Sequence, residues 1–496
     1  MSDAPEHPNV ISLPSAPAPQ DEDSKNLSHY ALRDEFVARA ENEIKYVDKW
    51  GQWYIWDGSR WKKDESLFVQ WSVGRFLNGV AKRIHKSRYA NAVAQIGDSM
   101  PKSTRTALLK RAKSDARTGL TTFGNISTIM AVKNLAKDHR AVATVTEDWD
   151  KDPWILNTPA GTVDLRTGAI RPSCKEDLVT KSTSVSPAPG APHLWLKFLR
   201  RIMADDTDVI DYLQKVFGYF LVGDPKQHEM YFGYGDGRNG KGRVIHALMG
   251  IMKDYAAVAP IETFTVSKND RHPTELASLR GARLVTCGET NKHQQWSEAK
   301  IKELTGGDPV KARFMRQDEF TYTPQFKLFL TGNNKPHLSH VDAAIEARFR
   351  LIPFAVFIPP EERDTNLDAK LETEWPRILN WMIEGCMKWQ ADGHLDAPAR
   401  IMSATKGYLE KEDHPRSWYD ECCDLNPDIF TTTDALFQSW KDWCASTGQV
   451  PGTKTSFSDM LETRQPVMQT TRIRRSKGWG FLGIDLLKRP KKDDET

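Results

Sequence analysis

The sequence predicts an α/β protein built around a nucleotide-binding domain. Three observations support this prediction: a glycine-rich loop between an apolar strand and a helix, two further apolar strands downstream, and helical periodicity in the segments between them. With 496 residues, the chain has room for roughly three domains of ordinary size. We therefore expect a P-loop domain flanked by a mixed α+β domain and a smaller C-terminal domain.

The chain before the loop begins with a segment rich in Pro, Ala, Ser and acidic residues, which predicts a disordered lead over residues 1–28. From Glu41 to Lys63, aromatic residues alternate with turn residues, which predicts a β-meander with an Asp-Gly turn at Asp57. Its aromatics stand beside basic residues and could stack on single-stranded bases, but a packed aromatic mini-core is the favoured interpretation. Helical spacing follows from Ser66 to Asp138, and Asp152 to Arg171 predicts a second hairpin.

The glycine-rich loop has the composition of a phosphate cradle. Glycines can adopt positive φ and let backbone N–H groups surround an anion, and Lys241 adds a positive charge at a helix N-terminus. The pattern G-x-x-x-x-G-K-[ST] is met up to Lys241, but Gly242 stands where a hydroxyl would bind Mg²⁺. A glycine-rich turn with a chance lysine is the alternative, and the flanking strand and helix favour a nucleotide site. The predicted nucleotide-binding residues are Gly235, Asp236, Gly237, Arg238, Asn239, Gly240, Lys241, Gly242 and Arg243.

Two downstream strands end on polar residues that can act on a bound nucleotide. The first, from Gly281, ends on Glu289, which could hold Mg²⁺ through water or orient an attacking water. The second, from Gln325, ends before Asn333, which could sense a γ-phosphate. An isolated acid after an apolar strand usually has no function, so the assignment of Glu289 depends on its position in the order of parts.

Basic residues form two further candidate sites. A predicted hairpin carries Lys311, Arg313 and Arg316, which could bind phosphates. Alternatively, Arg313 could form a structural salt bridge with Asp308 or Glu303. Arg348 and Arg350 follow a helix, where either could act as an arginine finger or form a surface salt bridge. Near the C-terminus, two helices and a hairpin predict a winged-helix-like domain that binds DNA or protein. The basic residues predicted on that hairpin are Arg474, Arg475 and Lys477.

Composition limits the classes of partner and location. There are 69 Lys and Arg and 66 Asp and Glu, so the net charge is 69 − 66 = +3 and any nucleic-acid contact must be local. The six cysteines form no C-x-x-C pair and have no histidine at metal-ligand spacing, which predicts reduced thiols rather than zinc. No apolar run reaches the roughly 18 residues of a membrane span. We expect an intracellular protein without a membrane partner.

The order of these parts is more specific than any single part. A phosphate loop, an acid-ended strand, Lys-x-Leu-Thr-Gly-Gly-Asp at Lys302 to Asp308, a basic hairpin and a strand ending in Asn-Asn-Lys-Pro follow one another, and Ala-Ile-x-x-Arg then precedes Ile-Pro-Phe. This order resembles the superfamily III helicases, in particular the phage and plasmid primase-helicases that share their C-terminal half with the poxvirus replication helicase. The predicted boundaries are 1–28 for the lead, 29–192 for an N-terminal helicase-associated domain, 193–412 for the ATPase domain, 413–487 for the winged-helix-like domain and 488–496 for a charged tail.

The resemblance implies an AAA+-like ATPase core that uses ATP and Mg²⁺, assembles as a homo-hexameric ring and moves along single-stranded DNA at a replication fork. It also implies that the protein works in the cytoplasm of a bacterial host. By position, Lys241 would bind the β- and γ-phosphates, Glu289 would be the Walker B acid and Asn333 the sensor. Arg348 would reach the ATP of the neighbouring subunit, and the basic hairpin would face DNA in the pore. Gly242 and the single acid after the Walker B strand depart from the family pattern, so Mg²⁺ binding is the least supported part of this transfer.

Three alternatives to this assignment remain. Members of the family often carry a primase domain, but the meander and the helices that follow it contain no Asp-x-Asp pair for two metals. We therefore predict a helicase without primase that works with a separate primase or initiator protein. A replication initiator or loader that binds nucleotide and DNA with little hydrolysis would fit the missing hydroxyl at Gly242. A small-molecule kinase would fit the loop alone and leave the basic hairpin unused.

Overall fold

A small mixed region opens the computed structural model, which describes residues 28–97, 100–266, 274–288, 294–315, 318–339, 341–463, 470–476 and 478–487. Its elements are α1 (His29–Arg39), β1 (Ile44–Val47), β2 (Gln52–Trp56), β3 (Trp61–Lys63), α2 (Phe68–Ala94), α3 (Lys102–Phe123), α4 (Ile126–Ala136) and β4 (Ala143–Thr144). The sheet order is β3-β2-β1-β4, and the first three strands form the predicted antiparallel meander. Residues 1–27 of the predicted lead and all of the predicted tail lie outside the described residues.

The aromatic residues of the meander form the mini-core favoured by the sequence. Trp56 and Trp61 are buried together with Trp149, which enters from the segment after β4. Trp50 and Tyr54 pack against this cluster but are only partly buried. At the β2–β3 turn, Asp57 Oδ1 accepts hydrogen bonds from two backbone N–H groups at 2.9 and 2.8 Å, which fixes the hairpin.

The predicted second hairpin is a three-stranded antiparallel sheet. Its strands are β5 (Ile155–Thr158), β6 (Gly161–Asp164) and β7 (Ala169–Arg171). Leu156 and Val163 are fully buried in the same apolar cluster as side chains of residues 195–222. The domain boundaries themselves remain predictions.

A five-stranded parallel sheet with helices on both faces forms the centre of the chain. Its elements are α5 (His193–Ile202), α6 (Thr207–Phe220), β8 (Met230–Tyr234), α7 (Lys241–Met252), β9 (Ala256–Ala259), α8 (Thr274–Ser278), β10 (Leu284–Cys287), α9 (Glu298–Thr305), β11 (Val310–Arg313), β12 (Glu319–Tyr322), β13 (Lys327–Gly332), α10 (Ala343–Arg348), β14 (Phe349–Pro353), α11 (Leu367–Glu372), α12 (Trp375–Asp392) and α13 (Ala399–Glu412). Neighbouring strands in the order β14-β8-β13-β10-β9 are all parallel. The predicted α/β class is confirmed, and the parallel direction of its strands is a finding of the structure.

The residues of β8 show why this sheet needs two covering layers. Side chains alternate between the faces of a strand. Tyr231 packs in the cluster that includes α6, α7 and α12, whereas Met230 and Phe232 pack in the cluster that includes α8, α9 and α13. Because both faces are buried, the strands are continuously apolar rather than alternating, as expected for a parallel sheet.

The position of β8 in the sheet locates the candidate site. β8 lies between β13 and β14, while β9, the next sheet strand in the chain, lies at the far edge beyond β10. The connection that leaves β8 therefore runs towards β9 at one edge of the sheet. The connection that leaves β13 crosses in the opposite direction to β14 at the other edge. Ligands of such sheets bind at the carboxyl ends of the strands where the strand order reverses, and the glycine-rich loop begins there.

The C-terminal region is a small α+β unit. It consists of α14 (His414–Cys422), β15 (Cys423–Thr432), α15 (Thr433–Thr447), α16 (Lys454–Thr463), β16 (Thr471–Arg475) and β17 (Gly478–Leu486). The strands form an antiparallel sheet in the order β15-β17-β16 around a core that includes Trp418, Phe457 and Phe481. The two helices and the terminal hairpin were predicted, whereas α14 and β15 were not. The winged-helix assignment remains a prediction.

Candidate nucleotide-binding site

The glycine-rich loop connects the buried strand β8 to α7, whose first residue is Lys241. Gly237, Arg238 and Gly240 have φ values of 87°, 54° and 88°. A Cβ at Gly240 would lie 2.7 Å from Ile202 Cγ2, so this position requires glycine both for its conformation and for its close approach to α5. The first turn of α7 directs backbone N–H groups towards the loop, as in anion sites at helix N-termini.

The segment after β14 holds the loop in place. Asn239 is buried, and its Nδ2 donates to the carbonyl oxygen of Phe354 at 2.8 Å. The N–H of Ile358 donates to the carbonyl oxygen of Arg238 at 3.0 Å. These two contacts tie the loop to the chain that follows the neighbouring strand, so its shape is fixed just before Lys241.

Two of the predicted site residues meet at the edge of the sheet. Lys241 Nζ donates to the carbonyl oxygen of Gly235 at 2.5 Å and to Oδ1 of Asn333 at 3.2 Å. Asn333 follows β13, the parallel neighbour of β8, so contact is made between residues 92 positions apart. Loop N–H groups, an ammonium and an amide at one edge are donors that fit a polyphosphate.

Gly242 and Glu289 are the two positions of the site that bear on Mg²⁺ binding. Gly242 is exposed, and a Cβ at this position would meet no atom within 4 Å. Glu289 lies outside the described residues, two positions beyond the end of β10 at Cys287. Within the described ranges, no group of three or more His, Cys, Asp or Glu residues could hold a metal ion. Mg²⁺ binding therefore remains a prediction.

The outer residues of the loop have different surroundings. Asp236 and Arg238 are exposed at the mouth of the loop. The guanidinium of Arg243 forms an ion pair with Asp368 of α11. Their predicted roles in nucleotide binding remain predictions.

The structure separates the two candidate arginine fingers. Arg350 on β14 pairs with Glu229 at 2.7 Å, and Tyr231 Oη also donates to Glu229 at 2.8 Å. Burial raises the pKa of Glu229, which the charge of Arg350 opposes. Arg348, at the end of α10, is partly buried, and its guanidinium donates to the hydroxyl oxygen of Thr305 at 3.2 Å. Arg350 thus forms an ion pair within its own chain. Arg348 is therefore the better candidate for contact with a neighbouring subunit.

A basic cavity beside Asn333 was not predicted from the sequence. It has a volume of about 620 Å³, and its lining includes Asn333, Lys335 and Lys411. Lys335 Nζ lies 3.7 Å from the ring centroid of Tyr234, the last residue of β8. Burial, and then the charge of Lys411, lower the pKa of Lys335. The sequence could have indicated this residue, because Lys335 lies in the same Asn-Asn-Lys-Pro segment as Asn333. Only Asn333 of that segment is assigned a role in the sequence analysis above.

The predicted DNA-binding residues lie on two exposed hairpins. Lys311 and Arg313 are exposed on one face of β11, while Ala312 between them is buried. Asp308 and Glu303 are the two candidate partners of Arg313. The carboxylate of Glu303 instead lies 2.9 Å from Lys300 Nζ. Arg474 and Arg475 are exposed on β16. Arg316 and Lys477 lie outside the described residues.

Known proteins match this chain over both of its larger regions. Residues 29–204 match the family described as D5 N terminal like, and residues 233–348 match a family of unknown function, DUF5906. The putative helicase L207/L206 of Acanthamoeba polyphaga mimivirus is 23% identical over 346 residues, which are 64% of this chain and 36% of that protein. The putative helicase 022R of Frog virus 3 (isolate Goorha) is 24% identical over 296 residues, which are 55% of this chain and 30% of that protein. The family models and the viral relatives support the resemblance of this chain to the phage-type primase-helicases.

The family matches can be placed on the structure. The second match begins in β8 and ends at Arg348, so it contains the loop, Lys241 and Asn333. The chain spans about a third of the length of the curated relatives it matches, 36% and 30%. Among solved structures, the apo A form of the NrS-1 C terminal region aligns with a TM-score of 0.47 and 10% identity, covering 92% of this chain and 99% of that chain.

No helix within the described ranges combines the length and apolarity needed to cross a bilayer.

Proposed function

We propose that this protein is an ATP-dependent replicative DNA helicase of a phage, prophage or plasmid, which moves along single-stranded DNA as a ring. The contact between Lys241 Nζ and Asn333 Oδ1 at 3.2 Å carries the proposal, because it joins a phosphate-binding cation to a polar group on the adjacent strand. The names of the viral relatives, both putative helicases, support the same class of activity.

In this proposal, the loop N–H groups and Lys241 bind the β- and γ-phosphates of ATP. Binding would draw Lys241 Nζ from the carbonyl oxygen of Gly235, where it lies at 2.5 Å, towards the phosphate oxygens. Asn333 then gains or loses its contact with Lys241 according to whether the γ-phosphate is present. Mg²⁺, held through Glu289 and water, would supply charge neutralisation at the phosphates.

The same proposal gives the arginine and the hairpin their roles. Arg348 supplies positive charge to the ATP of a neighbouring subunit, where it would stabilise the transition state of phosphoryl transfer. Lys311 and Arg313 contact DNA phosphates from a hairpin that lies in the chain between β10 and β13. Because β13 leads to Asn333, a change at the nucleotide can shift the base of the hairpin.

Gly242 favours a second candidate function. A loop without a hydroxyl for Mg²⁺ would suit a replication initiator or loader that binds nucleotide and DNA but hydrolyses little ATP. The two functions differ in one measurable property. A helicase shows ATP hydrolysis that single-stranded DNA stimulates, whereas the initiator or loader binds both ligands without such stimulation.

The decisive variant is Lys241→Met, which removes the charge and keeps the length of a side chain that is only 8% exposed. We expect DNA-stimulated hydrolysis and unwinding to fall to background while the thermal unfolding temperature is retained. Lys197→Ala, which removes an exposed lysine from α5, is the matched control and should behave like the unaltered protein. Turnover by Lys241→Met equal to that of the control would reject the site.

A further inference from the structure

A second surface with the chemistry of a nucleic-acid site lies between the N-terminal meander and the β11–β12 hairpin. The two elements face each other across a cleft of about 790 Å³. Trp50 and Tyr54 line one wall, and Phe314 and Tyr322 line the other. We call this space the aromatic cleft.

The wall formed by the meander is a continuous set of rings. The ring centroids of Trp50 and Tyr54 are 5.7 Å apart, and that of Trp149 is 6.1 Å from Trp50 and 4.7 Å from Tyr54. Trp149 is buried and supports the other two, which are only partly buried. The meander aromatics are therefore divided between two roles, because some form the mini-core and others present ring surface to the cleft.

Arg280, just after α8, joins the two walls. Its guanidinium lies 5.5 Å from the ring centroid of Trp50 and 5.3 Å from that of Phe320. One cation thus stacks on an aromatic ring of the meander and on one of the hairpin. This contact places the meander next to the hairpin that carries Lys311 and Arg313.

The charge of the lining favours an anion. It includes four cations, Lys63, Lys151, Lys181 and Arg280, and two carboxylates, Glu147 and Asp150, which gives 4 − 2 = +2. Lys63 and Lys151 are exposed. The carboxylate of Asp150 accepts hydrogen bonds from the N–H and hydroxyl of Thr180 at 2.8 and 2.5 Å. These internal hydrogen bonds partly offset its negative charge.

We propose that the aromatic cleft binds a short unstacked segment of single-stranded DNA, with bases against Trp50 and Tyr54 and phosphates near Lys63 and Lys151. Aromatic faces beside cations are what proteins use to hold single strands without sequence preference. The cleft is also continuous with the predicted pore hairpin, because Phe314 on its wall directly follows Arg313. The N-terminal region then grips the strand that the ATPase region moves, an inference that rests on the proposed DNA substrate.

Binding of a fluorescent oligo-dT to the full-length chain tests the base-stacking role. Trp50→Leu keeps an apolar side chain against Tyr54 and removes the large ring, and we expect affinity to fall about tenfold. Trp71→Leu is the matched control, because Trp71 is 49% exposed on α2 and lies outside the cleft. Like Trp50, it has a guanidinium against its ring, that of Arg75 at 4.8 Å from the ring centroid. Affinity of Trp50→Leu equal to that of Trp71→Leu would reject the cleft as a site.

Photocrosslinking provides a readout that does not depend on any variant folding. Oligo-dT containing 5-iododeoxyuridine should crosslink the unaltered protein at Trp50 or Tyr54, as identified by mass spectrometry of the peptides. Crosslinks confined to other regions would overturn the proposal. If the unaltered protein binds no oligo-dT at all, the proposed helicase function fails as well, whereas binding with no contribution from Trp50 removes only the cleft.

Discussion

At the scale of single residues, Gly242 offers a direct test of how the loop handles Mg²⁺. The open space around a Cβ at this position, and its place in the first turn of α7, allow a serine without strain. We expect Gly242→Ser to lower the Mg²⁺ concentration needed for half-maximal ATP hydrolysis, because the added hydroxyl can ligate the ion. Gly242→Ala adds the Cβ alone and is the control. Equal Mg²⁺ dependence in the two variants would contradict the loop alignment.

Arg348 and Arg350 are two residues apart, yet we expect their removal to affect different properties, hydrolysis for Arg348 and stability for Arg350. Arg350→Met leaves the buried Glu229 without its cation, so the free energy of unfolding should fall by about 3–5 kcal/mol. Arg348→Ala should change it by less than about 1 kcal/mol and should instead suppress hydrolysis with nucleotide binding retained. Chemical denaturation and nucleotide titration separate the two outcomes.

The double variant Glu229→Leu with Arg350→Met supplies the control for the buried pair. Removing both partners leaves no unpaired charge, so it should recover part of the stability lost in Arg350→Met. A double variant less stable than Arg350→Met would mean that Glu229 stabilises the fold through other groups, such as Tyr231.

At the scale of an element, the β11–β12 hairpin should contact DNA through phosphates rather than bases. Lys311→Ala with Arg313→Ala should weaken oligonucleotide binding similarly across sequences and reduce the salt dependence of the affinity. DNA-stimulated hydrolysis should be lost while basal hydrolysis remains, because the substituted side chains are on the hairpin and not at Lys241. Binding isotherms at several salt concentrations provide the measurement.

A matched pair on another element controls for the loss of surface charge. Lys197 and Arg200 are both exposed on α5, and Lys197→Ala with Arg200→Ala should leave the salt dependence unchanged. If the hairpin variant instead loses thermal stability and basal hydrolysis together while its salt dependence stays the same, Lys311 and Arg313 are structural residues.

At the scale of the whole molecule, a ring of identical subunits predicts complementation between defective chains. Lys241→Met lacks the phosphate-binding cation and Arg348→Ala lacks the finger, so each is inactive alone. In an equimolar random mixture, about one quarter of the head-to-tail interfaces would pair an intact Lys241 with an intact Arg348. We therefore expect up to about a quarter of the hydrolysis rate to return. Mixtures that stay inactive at every ratio would exclude an arginine supplied by a neighbour.

The sequence predicted those features that depend on neighbouring residues. Glycine at positions of positive φ, a lysine at a helix start and apolar strands of a few residues are local properties, and they located the loop at Gly235 to Lys241 and the strands beside it. The Asp-Gly turn of the meander was predicted for the same reason, since Asp57 hydrogen-bonds to backbone N–H groups two and three residues further on. β15 was missed because its two halves are separated by a register shift between Asn426 and Phe430, which interrupts the strand pattern.

Other features were decided by the tertiary structure alone. Lys241 is buried, and β13 pairs with β8 and brings Asn333 into contact with its ammonium. The choice between Arg348 and Arg350 depends on a partner, Glu229, that precedes the loop and pairs across the sheet. The aromatic cleft joins residues of the meander and the hairpin, which are far apart in the chain. The physical reason is the same in each case: a residue's own φ, ψ and hydrophobic period are written locally, whereas its partners are fixed only when distant strands and layers pack together.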